Sequence, residues 1–167
     1  GLRANMDLLD RLLGHDAWTT EQLLRLSRQL DDARLDRQFD LGNQSLRATF
    51  AHMIGNVEVW TGLMAGRTVD LSPPDDALPA LEQRHARSYA EFAALARRIR
   101  DEQRWDATYL DTLDNPPRPK TFGGTIAHVI THNMTHRGEI LHLLQRLGVS
   151  DLPEGDALSW EASRRPG

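Results

Sequence analysis

Three of the seven histidines of the chain recur at a constant spacing of four residues. They are His128, His132 and His136, and they lie within residues 125–140. Residues four apart share one face of an α-helix, so a helix here would carry three imidazoles in a row along one side. Neutral imidazole is the commonest protein ligand of zinc, nickel, copper and iron. The spacing therefore indicates a candidate metal site on a helix.

Two histidines on one helix bind a metal weakly, so a third ligand must come from another position. The sequence offers His15, His52, His85 and the further residue of the row, His128. We select His52, because it lies at the edge of an apolar helical face where a histidine has few other partners. His15 lies in a more polar stretch, and His85 is flanked by arginines and is expected to be exposed.

The histidine row differs from the motif of zinc proteases. That motif is His-Glu-x-x-His, in which the glutamate is the general base. Residues 133–135, between His132 and His136, contain no glutamate, which argues against such a protease. Glu58 is six residues beyond His52 and should point elsewhere, so no general base is assigned. Two alternatives stay open, namely histidines that only pack in the fold and a metal with a structural role.

Composition limits the class of protein. The chain has 167 residues, of which 40% are apolar and 26% charged, and this predicts one globular domain over residues 1–167. The net charge of −4 and the scattered arginines argue against nucleic acid as a partner. The absence of cysteine excludes disulfides and thiolate metal sites and favours a cytoplasmic location. No apolar run approaches the roughly 20 residues of a membrane span.

Apolar residues at three- and four-residue steps predict four long helices, over residues 4–30, 45–65, 77–103 and 125–147. Two short extended segments, at 105–113 and 120–122, predict a hairpin before the last helix. One more helical turn is expected at 156–162, with Trp160 docking on the body. Four amphipathic helices predict an all-α, four-helix bundle. Its connections are long enough for crossovers, so an up-up-down-down order stays open.

Other side chains have more than one interpretation. Trp18, Met53 and Trp60 could line a pocket above the metal, although aromatic and methionine side chains at helical spacing usually belong to the core. Arg137 could bind an anion, but on a helix it more often forms a structural ion pair. We therefore expect core packing for the first three residues and an ion pair for the fourth.

The C-terminal part of the chain resembles a known family. The run His132-Asn-Met-Thr-His136-Arg137-Gly138-Glu139-Ile140 resembles the late signature of the DinB family, which reads His-x-x-x-His-Arg-Gly-Gln/Glu. Residues 46–60, around His52, resemble the earlier apolar helix of that family, and residues 14–24 resemble its first helix. The likeness covers nearly the whole chain, and the His-Arg-Gly run is its diagnostic part.

This resemblance implies a DinB/YfiT-like four-helix bundle with up-up-down-down topology. It also implies that His52, His132 and His136 bind a divalent metal, with nickel or zinc as the expected ion. His128 would then support the site or line its pocket. Glu139 would lie near the metal without binding it, at a position where many members of the family have glutamine. Arg137 would likewise be a neighbour of the site.

The resemblance also implies a range of activities. Members of the wider superfamily include transferases and isomerases that depend on low-molecular-weight thiols, and some metal-dependent hydrolases. A metal-dependent enzyme that acts on a small molecule, with a thiol as possible co-substrate, is therefore the first hypothesis. The alternative is a non-catalytic metal-binding bundle with a stress-response or structural role. Bundles of this kind expose apolar helix faces, which would allow a homodimer.

Overall fold

The structure, a computed structural model, describes residues 5–165 and is mostly helical. Its elements are α1 (Leu8–Ser27), α2 (Asp32–Leu35), α3 (Leu46–Met64), α4 (Leu78–Asp101), β1 (Thr108–Asp111), β2 (Arg118–Thr121), α5 (Phe122–Arg146) and α6 (Ala157–Ser163). The predicted start of the first helix at residue 4, and both ends of the predicted domain, lie outside the described residues. None of the helices within 5–165 combines the length and the apolarity that crossing a bilayer requires.

Side-chain caps determine where the long helices begin. Asp7 caps α1 in a reciprocal pair with Asp10, and Ser45 accepts a hydrogen bond from the third residue of α3. Thr121 caps α5 by accepting from the backbone N–H of Gly124 at 3.1 Å. Helix α5 therefore begins at Phe122, three residues before the predicted start near Thr125. Gly123 and Gly124, which precede the predicted helix, belong to the first turn of α5.

Helices α3 and α4 start at the same end of the molecule. Arg47, in the first turn of α3, donates a hydrogen bond to the carbonyl of Asp76, just before α4, at 3.1 Å. At the other end, Leu63 of α3 and Ile99 of α4 belong to one apolar cluster. The two helices are therefore parallel, and residues 65–77 return along α3 before α4 begins.

Helices α1 and α4 are antiparallel. Asp10, in the first turn of α1, pairs with Arg97 near the end of α4 at 3.0 Å. Arg28, just after α1, bonds Glu82 near the start of α4 at 2.9 Å. The direction of α4, and with it that of α3, is therefore opposite to that of α1.

Helix α5 is antiparallel to α3. Near the start of α5 the ring of His128 lies 5.7 Å from that of Trp60, and two turns later His136 lies 4.9 Å from His52. Relative to α1, the four long helices therefore run up, down, down and up. The up-up-down-down order that the family resemblance implied is wrong, and helical periodicity had left the order open because it specifies which face is buried but not the direction of the helix.

Apolar packing holds α5 on two sides. Helices α1 and α3 each contact both α4 and α5. One apolar cluster includes Leu23, Phe50 and Leu143, and a second one includes Phe92 and Ile126. Both clusters contain side chains of α5, so burial of that helix fixes its rotation as well as its position. Its histidine face is thereby directed along the seam with α3.

The smaller predicted elements are also present. Strands β1 and β2 pair antiparallel, with Tyr109 opposite Lys120, and form the expected hairpin before α5. Trp160 of α6 is only 4% exposed and docks on α1 as predicted. Its ring lies so close to Gly14 that a Cβ there would approach it to 2.2 Å. A side chain at position 14 would therefore displace α6.

Candidate metal centre

Helices α3 and α5 bring His52, His132 and His136 together. One ring nitrogen of each histidine can be chosen so that all three lie within 4.8 Å of one another. The Nε2 atoms of His132 and His136 are 3.2 Å apart. The antiparallel packing of the two helices places His52 opposite this pair, with ring centroids 5.7 and 4.9 Å away. These are the three residues to which the family resemblance assigned the metal.

The three rings differ in exposure in a way that gives the site an inner and an outer side. His136 is buried and only 6% exposed, His132 is half-buried, and His52 is exposed. The inner side is closed by the packing of α5, whereas the outer side, at His52, is open to solvent. A bound ion would therefore be accessible from one direction.

The buried histidine is in the protonation state that metal binding requires. Burial, followed by the neighbouring rings of His132 and His52, lowers the pKa of His136 to about 4. The pKa of His128 is also lowered, by burial, by His132 and by Lys120. At neutral pH both rings are neutral, and a neutral ring nitrogen has a lone pair free for a metal. The site therefore needs no proton release from His136 before an ion binds.

The spacing and chemistry of these histidines fit a transition-metal ion. Two imidazole nitrogens bound tetrahedrally at about 2.0–2.1 Å to one zinc ion lie about 3.3 Å apart. The separation of 3.2 Å between His132 and His136 agrees with that value. Within residues 5–165, no other group of three or more His, Cys, Asp or Glu residues converges in this way.

Asn56 lies at the open edge of the site, and sequence reasoning missed it. Its amide nitrogen is 3.1 Å from Nε2 of His52 and 3.5 Å from Nδ1 of His132. The signal was available, because Asn56 follows His52 by four residues and so shares its helix face. Through these two contacts the Asn56 amide lies beside the two more exposed rings of the site.

Two cavities adjoin the histidine row. One of about 730 Å³ is lined by His52, Asn56 and the loop of residues 67–76. The other, of about 370 Å³, is lined by Trp60 and His128 together with the start of α5. The ring of His128 stacks on His132 with centroids 5.2 Å apart, so this second cavity begins one ring beyond the site.

His128 is a pocket residue by its position. It does not belong to the converging group of histidines, and its ring lies 5.7 Å from that of Trp60. Of the three side chains weighed between pocket and core, Met53 is fully buried, Trp18 is half-buried, and Trp60 lines the cavity. The core interpretation is thus confirmed for Met53, and Trp60 packs against the apolar cluster of Phe92 and Ile126 while it also lines the cavity.

The other two candidate ligands are core histidines. His85 is only 6% exposed, so the expectation that its arginine neighbours mark an exposed position is wrong. Arg87 is exposed and Arg84 pairs with Glu58, whereas Nε2 of His85 lies 2.9 Å from the carbonyl oxygen of Ala17. His15 is also buried, with Nε2 at 2.8 Å from the carbonyl of Gly155. Both rings hydrogen-bond the backbone and lie outside the converging group.

Arg137 forms the structural ion pair that was expected. Its guanidinium donates to the carboxylate of Asp16, which is fully buried and also accepts from Tyr89 at 2.6 Å and from Asn133 at 2.9 Å. Burial and the Asp16 carboxylate raise the pKa of Tyr89, so the phenol stays a donor. Glu58 pairs with Arg84 at 2.6 Å, and both side chains line the same cavity as His52, so the expectation that Glu58 points elsewhere is not confirmed.

The fold and the site together define a mostly helical protein with three histidines positioned to bind one divalent metal ion. Residues 5–162 match the model of the DinB family, and the chain belongs to that family. The resemblance inferred from the His-x-x-x-His-Arg-Gly-Glu run is confirmed over nearly the whole chain. No curated protein matches the chain.

Proposed function

We propose that this DinB-family protein is a metal-dependent enzyme that acts on a small molecule. His52, His132 and His136 hold a divalent ion, with zinc or nickel as the expected metal. Imidazole nitrogen suits both ions, and the chain has no cysteine to offer a softer site. The long helices α1, α3, α4 and α5 form a four-helix bundle within a single domain, which the mutual contacts of these helices support.

The observation that carries this proposal is the opening of the site onto a cavity. Catalytic zinc sites use three protein ligands and leave a position open, whereas structural sites are closed by four protein ligands. Here three nitrogens converge, and His52 and Asn56 also line the cavity of about 730 Å³. That volume lies within the range of pockets for small molecules. An ion bound there supplies a Lewis acid that can polarise or activate a bound group.

The surrounding residues have separate tasks in this proposal. His136 and the packed face of α5 exclude water from the inner side of the site. Trp60 and His128 form an apolar wall beside it, suited to the carbon skeleton of a substrate. A low-molecular-weight thiol is the proposed co-substrate, because thiolates are favourable ligands of zinc. The reaction is accordingly a thiol-dependent transfer or a hydrolysis.

One observation favours the alternative of a non-catalytic metal-binding protein. The Asn56 amide lies over His52 and His132 at the open edge, and an amide oxygen there would add a fourth protein ligand. X-ray absorption of the loaded protein separates the two functions. Three histidines plus solvent oxygen that exchanges for an added thiol sulfur support the enzyme. A fourth protein ligand that no thiol displaces supports the structural role.

The metal content of protein purified without a histidine tag or a chelating column tests the site itself. We expect about one divalent ion per chain in the wild type and substantial loss in His52→Ala and His132→Ala. His142→Ala is the matched control, because His142 is an exposed histidine of the same helix α5 and should retain the ion. If both site variants kept their full metal content, the proposed centre would be wrong.

A further inference from the structure

Glu139 lies next to the buried end of the histidine site. It follows His136 by one helical turn of α5, and its Oε1 is 3.5 Å from Nδ1 of His136. The Nε2 atom of the same ring is the one that faces His132. The two nitrogens of His136 are therefore divided, with Nε2 facing the other histidines and Nδ1 facing a carboxylate.

One polar atom of each side chain in this pair is buried without a hydrogen bond. Nδ1 of His136 has no partner, and neither has Oε2 of Glu139. A buried polar atom without a hydrogen bond costs about 1–3 kcal/mol, so such atoms are rare unless a function requires them. Here the two residues are adjacent, and a small rotation of Glu139 would bring Oε1 into hydrogen-bond range of Nδ1.

Within residues 5–165, no lysine or arginine lies within 4.0 Å of the Glu139 carboxylate. Its side chain is only 20% exposed, so solvent compensates the charge incompletely. By contrast, Glu58 on α3 has the guanidinium of Arg84 at 2.6 Å. The positive charge that would balance Glu139 is absent from the protein around it, and a divalent ion on the far side of the His136 ring would provide it.

Gly42 provides the space that the carboxylate occupies. A Cβ at position 42 would lie 2.0 Å from Oε2 of Glu139 and 3.0 Å from its Cδ. The backbone of Gly42 is also left-handed, with φ of +52°, which disfavours other residues. The loop before α3 is thus shaped so that Glu139 stays against His136.

We propose that Glu139 is the positioning residue of His136, held in place by Gly42. This inference rests on the metal binding proposed above. When Nε2 binds an ion, the ring proton resides on Nδ1, and Glu139 accepts it in a hydrogen bond. That bond fixes the ring orientation and makes the imidazole a stronger ligand.

Zinc affinity, measured by competition with a chromophoric chelator, tests this role. Losing an outer partner of a ligating histidine costs about 10- to 100-fold in affinity, and we expect a loss of that size for Glu139→Ala. Glu139→Gln should lose less, because the amide oxygen still accepts from Nδ1. Gly42→Ala should also weaken binding, but should add nothing to the loss in a Glu139→Ala background.

Two further measurements separate positioning from a structural role. NMR of the zinc-loaded wild type should show a slowly exchanging Nδ1–H of His136 that is lost in Glu139→Ala. The urea stability of the metal-free protein should be unchanged or higher in that variant, because a partnerless carboxylate is removed. Glu58→Ala is the carboxylate control, and its zinc affinity should stay within about twofold, since a solvent-screened charge acts weakly.

The possible outcomes are distinct. If the wild type binds zinc and Glu139→Ala binds it equally well, this inference is wrong while the proposed centre stands. This inference is also wrong if metal-free Glu139→Ala is destabilised while its zinc affinity is unaltered, because Glu139 would then be a structural residue. If the wild type itself binds no zinc, both the proposed centre and this role are overturned.

Discussion

Helix α5 has a polar cluster on each of two neighbouring faces, and the two clusters differ in how their polar atoms are satisfied. The Asp16 cluster consists of Asp16, Tyr89, Asn133 and Arg137, and it joins α5 to α1 and α4. The histidine site consists of His52, His132 and His136, and it joins α5 to α3. Adjacent residues of α5 belong to different clusters. Residues 132 and 136 belong to the histidine site, whereas residues 133 and 137 belong to the Asp16 cluster.

The carboxylate of the Asp16 cluster is satisfied within the protein, although Nε of Arg137 has no hydrogen-bond partner. Asp16 is fully buried and receives three donors, from Tyr89, Asn133 and Arg137, and Arg137 is only 2% exposed. Such a buried network fixes one arrangement of the helices that carry it. It therefore positions α5, and with it the histidines that project from the next face.

The histidine site is incomplete within the protein. Its ring nitrogens face one another or the Asn56 amide, and Nδ1 of His136 has no hydrogen-bond partner. Nitrogen lone pairs that converge where there is no positive charge gain little from folding. The contrast indicates that a buried carboxylate with three donors and a paired positive charge serves the fold, whereas converging ring nitrogens that lack a positive centre serve a ligand.

The largest expected effect tests the Asp16 cluster. Asp16→Ala leaves the Arg137 charge buried and unpaired, and breaking a buried pair in this way typically costs about 3–5 kcal/mol. Urea unfolding of the metal-free protein measures this loss. His132→Ala is the control from the neighbouring face, and we expect a change within about 0.5 kcal/mol, because the half-exposed ring has no strong partner.

Similar unfolding free energies for Asp16→Ala and His132→Ala would contradict the proposed difference between the two clusters. The double variant Asp16→Leu/Arg137→Met shows whether the charge is the cause. Replacement of a whole buried ion pair by apolar residues is often neutral or stabilising. We therefore expect the double variant to be more stable than Asp16→Ala alone.

A smaller effect is expected for Tyr89→Phe. The substitution removes one of three donors to Asp16, a hydrogen bond of 2.6 Å to a charged acceptor. Hydrogen bonds to charged groups contribute about 1.5–3 kcal/mol, so the unfolding free energy should fall by about that amount. Zinc affinity should stay near that of the wild type, because Tyr89 contacts no residue of the histidine site. A large loss of zinc affinity with little loss of stability would contradict the assigned division of roles.

Much of the site was predictable from local spacing. The four-residue step between His132 and His136 gave the pair on α5, and the apolar pattern around His52 indicated its partner on α3. Capping residues and apolar steps also gave most helix boundaries to within a few residues. These features are local, since each depends on residues within one or two helical turns.

Long-range features could not be predicted in the same way. Asp16 and Arg137 are 121 residues apart, and nothing in the sequence pairs one buried acid with one particular arginine. The direction of each helix also could not be derived from the residue pattern, because an amphipathic pattern is the same for either orientation of the helix in the fold. His85 was misjudged from its arginine neighbours, since adjacent residues of a helix point to different faces.

The last expected effect concerns the pH dependence of stability. It tests His85, a buried core histidine that lies outside the histidine site. Burial lowers the pKa of His85 from 6.5, although the Ala17 carbonyl and the Asp16 carboxylate oppose this change. Below about pH 6.5 the unfolded chain then binds more protons than the folded protein, so stability falls as the pH falls.

His85→Gln should flatten this acid loss of stability, because its amide can still donate to Ala17 but takes up no proton. Urea midpoints between pH 7.5 and 5, in the presence of a chelator, measure the difference from the wild type. His136 contributes with the same sign in both proteins, so it cancels in the comparison of the two slopes. Parallel slopes would mean that His85 is not held neutral by burial. A flatter slope would show that protonation of His85 contributes to the acid loss of stability of the metal-free protein.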